Sequence, residues 1–159
     1  MKKFELTSEF NLNFFGRKFF RIKALVNIER YGVKAGDLGG WVEKEDNLSQ
    51  SGNAWVSGNA EVSGNACVSG DAVVSGNAKV SGNADYAVIK GFGTVYRPTT
   101  FFRCHDGEVR VTCGCFYGTI DEFREQVKRT RKGKVADEYL KIADLMEYHF
   151  KKEDSGENV

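Results

Sequence analysis

The chain is predicted to be mainly β: a short parallel β-helix of hexapeptide repeats, with a β cap in front and a hairpin plus two helices behind. Three observations predict it. From Ser51 to Tyr86, six consecutive hexads read SGNAWV, SGNAEV, SGNACV, SGDAVV, SGNAKV and SGNADY. The segment before them carries apolar residues at a strand's period of two, and the segment after them carries a hairpin signal followed by two helical stretches.

The repeat defines its own interior. Val56, Val62, Val68, Val74 and Val80 are β-branched, suit extended backbone and are expected to point inward. Ala54, Ala60, Ala66, Ala72, Ala78 and Ala84 fill the second inward slot, where a small side chain is needed. The Gly-Asn pairs fall at corners, because both residues tolerate positive φ. Three six-residue sides make an eighteen-residue coil, with successive coils about 4.8 Å apart. That stacking places Asn59 over Asn77, Asn65 over Asn83 and Asn53 over Asp71. A disordered Gly/Ser/Asn linker would not keep strict Val and Ala slots.

The frame extends upstream in weaker form. Gly40-Trp41-Val42 fits one unit, and Glu45 to Gln50 fits the next with Leu48 in the small slot. The resulting stack rises only about 13 Å and leaves backbone unpaired at both ends, so both ends need caps. The predicted division is therefore 1–40 as the N-terminal cap, 41–90 as the repeats, 91–152 as the C-terminal module and 153–159 as a disordered tail.

In the cap, a turn is expected at Gly16-Arg17, followed by a strand in which Phe20, Ile22, Ala24 and Val26 share one face and Arg21 and Lys23 the other. In the C-terminal module, Asp106-Gly107 reads as a two-residue hairpin turn, pairing Cys104 with Val109, Phe102 with Val111 and Thr100 with Cys113. Thr119 and Glu122 form a capping box opening a helix to about Arg131. Ile120, Phe123 and Val127 supply its buried stripe. A second helix is expected from about Val135 to Lys151, burying Tyr139, Ile142, Leu145 or Met146, and Phe150.

Composition narrows the function classes. The chain has 159 residues and a formal net charge of +1, so no global attraction to nucleic acid or an anionic membrane is expected. No apolar run approaches a membrane span, and Met1-Lys2-Lys3-Phe4-Glu5-Leu6 does not suit a signal peptide. With four cysteines read as free thiols, a reducing, cytoplasmic location is expected.

The string from Gly36 to Glu43 (GDLGGWVE) and that from Asn47 to Val56 (NLSQSGNAWV) resemble phage- and prophage-encoded hexapeptide-repeat proteins. Thr100-Phe101-Phe102-Arg103, Cys113-Gly114-Cys115-Phe116 and Ile120-Asp121-Glu122-Phe123 are similar to a C-terminal module attached to them. The resemblance implies a left-handed coil, trimeric packing and the cytoplasm of an infected or lysogenic bacterial host. It brings no agreed activity, but raises inhibition of host antiviral defence by binding a host protein or a small anionic nucleotide.

The sequence offers candidate chemistry in three places. Acyl transfer on such coils uses a coil histidine as general base. His105 and His149 both fall outside the repeats, so a non-enzymatic binding or assembly protein is expected, with a hexapeptide-repeat acyltransferase as an alternative. Zinc on Cys104, His105, Cys113 and Cys115 is not expected. The hairpin separates Cys104 from Cys113 by about 13 Å, and no cofactor is predicted.

An anion site is the third candidate. In the predicted register Phe101, Arg103, His105, Glu108, Arg110 and Thr112 share a face, with Arg103 opposite Arg110. Such a pair needs an answer, either from Asp121, Glu122 or Glu125 or from a phosphate-bearing ligand. The run Lys128, Arg129, Arg131, Lys132, Lys134 reads as a solvated basic helix end, and nucleic acid is not an expected partner. On the coils, eighteen-residue stacking puts Glu43 over Glu61 over Lys79, Ser49 over Cys67 over Asp85, and Trp55 over Val73. The Trp55–Val73 strip is the apolar outward one, predicted to be a homotrimer interface or to be covered by the C-terminal module.

Overall fold

A computed structural model describes residues 1–151. The tail 153–159, expected to be disordered, lies outside the described residues. The chain is mainly β with two C-terminal helices, and its sheets are of mixed direction.

β1 (Phe4–Leu12) and β2 (Lys18–Ala24) form an antiparallel hairpin. Its turn closes through Gly16 donating to the Asn13 carbonyl, with Gly16 at φ 80°. β2 then pairs antiparallel with β3 (Leu38–Val42), so the cap continues into the repeats as one sheet. That five-stranded sheet runs β1-β2-β3-β5-β7, where β5 is Glu61–Val62 and β7 is Lys79–Val80.

Within the repeats the strands pair in parallel. β3, β5 and β7 form one set. β4 (Trp55–Val56) and β6 (Val73–Val74) form a second, and the Leu48–Val68 bridge a third. Every repeat valine from Val56 to Val80 is 0% exposed, except Val73 in its outward slot, and Ala54, Ala60, Ala66, Ala72 and Ala78 are at most 1% exposed. These residues form one core with Phe4, Ile22, Phe102 and Cys104. At the corners glycine takes the positive φ; Gly64, at φ 61°, also has no room for a Cβ, which would fall 2.5 Å from the Ser81 carbonyl oxygen.

Three details of the expected stacking are corrected. In the first layer Leu48 pairs with Val68 and Val42 with Val62, each twenty residues apart. Two extra residues between Leu48 and Ala54 move Leu48 from the expected small slot into the valine slot. Glu61 therefore lies beside Trp41 rather than Glu43. At the other end Ala84 is exposed, because Asn83–Asp85 form a 3-10 turn that leads the chain out of the stack.

Both ends of the stack are capped by hydrogen bonds. At the first layer the Lys3 ammonium donates to the Ala54 carbonyl at 2.7 Å. At the last layer two threonines act in place of a strand. Thr100 Oγ1 accepts from the Val73 N–H, and Thr112 Oγ1 donates to the Val73 carbonyl, both at 3.1 Å. The His105 N–H meets the Asn77 carbonyl at 3.0 Å, and the Tyr86 hydroxyl donates to the Cys67 carbonyl at 2.7 Å. Buried backbone groups need such partners.

The C-terminal module holds two strands beyond the expected hairpin. Its sheet runs β11-β10-β9-β8, with β8 Tyr86–Ile89, β9 Thr99–Arg103, β10 Val109–Cys113 and β11 Phe116–Thr119. One face contributes Phe102 and Cys104 to the repeat core. The other contributes Phe101 and Val111 to a second core beneath α1 (Ile120–Thr130) and α2 (Gly133–Phe150). The helix pair agrees with expectation. Thr119 Oγ1 accepts from the Glu122 N–H while Glu122 accepts from the Thr119 N–H, and Met146 rather than Leu145 is buried.

Candidate functional site

The predicted anion site depends on the hairpin register, and the register is shifted by one residue. Arg103 pairs with Val109, Phe102 with Arg110 and Thr99 with Cys113. The cause is the loop. Cys104 N–H donates to the Glu108 carbonyl, and Gly107 adopts φ 83°. That is a three-residue loop, His105-Asp106-Gly107, with the glycine in its left-handed position, in place of the expected two-residue turn. The Glu108 N–H on the Asp106 carboxylate at 2.9 Å holds it.

The shift places Arg103 and Arg110 on opposite faces. Arg103 lies on the helix side, where Nε meets Asp85 at 3.1 Å, Nη2 donates to the Phe150 carbonyl at 2.9 Å, and the guanidinium covers the Phe150 ring. It ties the exit of the repeats to the end of α2. Arg110 lies on the repeat side, with Nη2 on Asp106 at 2.8 Å and Nη1 buried without a hydrogen-bond partner. Each guanidinium has a carboxylate of its own, so the two cations do not combine into one site. The cysteines separate as well. Cys104 faces the repeat core, where burial pushes its thiol up, while Cys113 packs on the helix side and Cys115 is exposed.

His105, although outside the repeats in sequence, reaches them in space. Its Nε2 lies 3.5 Å from Glu61 Oε1, so Glu61, beside Lys79 in the parallel pair, turns toward the histidine. A groove of about 520 Å³ opens beside this pair. Glu61, Ser63, Lys79 and Ser81 line its repeat flank, His105 one end, and Phe14, Phe15 and Arg17 of the N-terminal turn the other. Arg17 is held there by Glu43 at 3.1 Å.

Phe14 and Phe15 are the residues that sequence reasoning passed over. They are 95% and 88% exposed, with ring centroids 5.3 Å apart and edge to face. Phe10 and Leu12 continue the exposed apolar surface along β1. The signal was present: two adjacent phenylalanines in a turn cannot both reach a core.

The predicted interface residues lie elsewhere. Trp55 is 3% exposed and belongs to the repeat core, with its ring against Gly39 near Ile22. Val73 is half-buried, and its backbone is capped by Thr100 and Thr112. Trp55 is therefore covered by the chain's own cap and needs no partner subunit to shield it, while Val73 keeps part of its side chain at the surface.

Among the described residues no helix is long and apolar enough to cross a membrane, and no group of three or more His, Cys, Asp and Glu is placed to hold a metal ion. Comparisons with protein-family profiles, curated protein sequences and solved structures return no match.

Proposed function

We propose that this chain is a non-enzymatic binding protein of the phage hexapeptide-repeat kind, a short left-handed β-helix that presents an aromatic hairpin tip to a host protein. Parallel pairs at eighteen residues support the coil, and the left hand rests on the resemblance. The observation that carries the function is the exposure of Phe14 and Phe15 at the tip of a hairpin anchored in a five-stranded sheet. Adjacent exposed aromatics on a rigid support are the usual energetic centre of a protein interface. Lys18 lies over the Phe10 ring and Lys79 lines the groove. The fitting partner is therefore an apolar protein surface edged with carboxylates.

The test is a Phe14→Ser/Phe15→Ser variant compared with wild type by affinity capture from bacterial host lysate and by light scattering. Specific capture that the variant loses while keeping its circular dichroism supports the reading. A trimeric wild type that the variant converts to monomer assigns the surface to self-assembly instead. Equal capture by both proteins rejects the surface.

One observation favours keeping acyl transfer as the second reading. The fold brings His105 to the repeat flank beside Glu61, at the mouth of a groove. Turnover of acetyl-coenzyme A that is lost in His105→Ala would replace the binding proposal; none is expected.

A further inference from the structure

We propose that the cleft between the β10–β11 turn and the end of α1 binds a small aromatic phosphate, a phosphomonoester carried on a planar body. The site is separate from the Phe14–Phe15 surface and stands or falls independently of it. The cleft encloses about 390 Å³, at the small end of ligand-sized cavities. Phe116 and Phe123 give it an apolar wall, their centroids 5.7 Å apart. Arg97 enters from the loop before β9 and Arg131 from the end of α1.

The charge balance of this cleft is one-sided. Arg103, Arg110 and Arg124 each sit on at least one carboxylate. Arg97 and Arg131 have none among the described residues, and no lining residue is acidic. The remaining polar lining comes from Gln126, Thr130, Cys113, Cys115 and Tyr139.

Tyr139 adds to the lining: it is 4% exposed, and its hydroxyl end packs over Gly93, where a Cβ would fall 2.5 Å from it. Burial pushes this phenol up, which keeps it a proton donor at neutral pH, while Arg131 and Arg97 pull the other way. The local backbone holds Arg97 in place. Its guanidinium crosses Gly114 where a Cβ would collide with it, and Tyr96 just before it is the one non-glycine at positive φ among the described residues.

Two guanidinium cations and a phenol donor match a dianion with three acceptor oxygens better than they match a single carboxylate. The end of α1 alone would repel an anion, so binding depends on the arginines. Phe116, half-buried and backed by the buried Phe123, then takes the planar body by stacking or edge contact.

The test is titration of the full chain with phenyl phosphate, followed by calorimetry and by nuclear magnetic resonance of the aromatic signals. Saturable binding is expected, weakened about ten-fold or more by Arg97→Gln and by Arg131→Gln. Tyr139→Phe should weaken it several-fold, and Lys134→Gln, exposed at the start of α2 and outside the cleft, should leave it unchanged. Inorganic phosphate should bind more weakly than phenyl phosphate. The proposal is overturned by absence of saturation, by equal losses in Lys134→Gln, or by inorganic phosphate binding as tightly as the aromatic ester.

Discussion

The Lys3 ammonium sits 2.7 Å from the Ala54 carbonyl and 3.5 Å from those of Ser51 and Gly52, with no carboxylate in reach of a bond among the described residues. A cation thus closes the first layer of the repeats by capping carbonyls that a further strand would otherwise have paired. Burial lowers its pKa from 10.5 to about 8. The unfolded chain therefore holds more protons than the folded one between about pH 8 and 10.5, and this group's contribution to stability rises with pH across that window. Urea midpoints of wild type relative to Lys3→Met should rise from about pH 8 to 9.5, before tyrosine ionisation intervenes. A constant difference would show that Lys3 titrates normally.

Gly64 and Gly70 separate two reasons for glycine at a corner. Both adopt positive φ, but a Cβ at Gly64 meets the Ser81 carbonyl at 2.5 Å, whereas one at Gly70 meets nothing within 4 Å. Gly70→Ala should cost only the left-handed backbone penalty, about 1 kcal/mol. Gly64→Ala should cost more than about 3 kcal/mol, because adjacent layers must part. Chemical denaturation of the two variants checks the difference.

Trp55→Glu should unfold the protein rather than dissociate an assembly. The indole is 3% exposed within the repeat core, so a carboxylate there would be buried without a cationic partner. The expected loss exceeds about 4 kcal/mol. Circular dichroism with light scattering decides: a folded monomer from an oligomeric wild type would restore Trp55 to an interface.

Arg124 ties α1 to α2, reaching Asp121 and Glu147 at 2.7 Å and Asp144 at 2.8 Å. Burial opposes its charge, but the three carboxylates outweigh it and hold its pKa above the usual arginine value. All three partners are exposed, so Arg124→Met should cost only about 1 kcal/mol. That cost should shrink in about 1 M salt, where the Debye length falls to roughly 3 Å. Urea unfolding at low and high salt measures it.

The repeat interior was legible because a fixed period assigns every valine and alanine to a slot. The two extra residues before Ala54 were not, since Ser49, Gln50 and Ser51 resemble the corner residues around them. The hairpin at Gly107 was ambiguous for a physical reason: Asp-Gly suits a two-residue turn, and glycine equally suits the left-handed end of a three-residue loop. One residue of slip then reversed the relation between Arg103 and Arg110. Arg97 lies in a segment without periodicity, and Arg131 was hidden among the basic residues that close many helices. The clustering of Arg97, Arg131 and Tyr139 arises only when the loop, α1 and α2 pack together.

The groove between Phe15 and His105 works as a caliper whose gap comes in fixed steps. Its two jaws belong to the N-terminal hairpin and to the β9–β10 loop, which flank the repeats, and β3, β5 and β7 between them set the opening. Inserting a further eighteen-residue unit would widen it by about 4.8 Å and leave both jaws on the same flank. Inserting six residues would instead carry His105 round to the next flank and abolish the groove. Repeat number in a chain of this kind therefore sets the width of the groove, independently of the residues that line it.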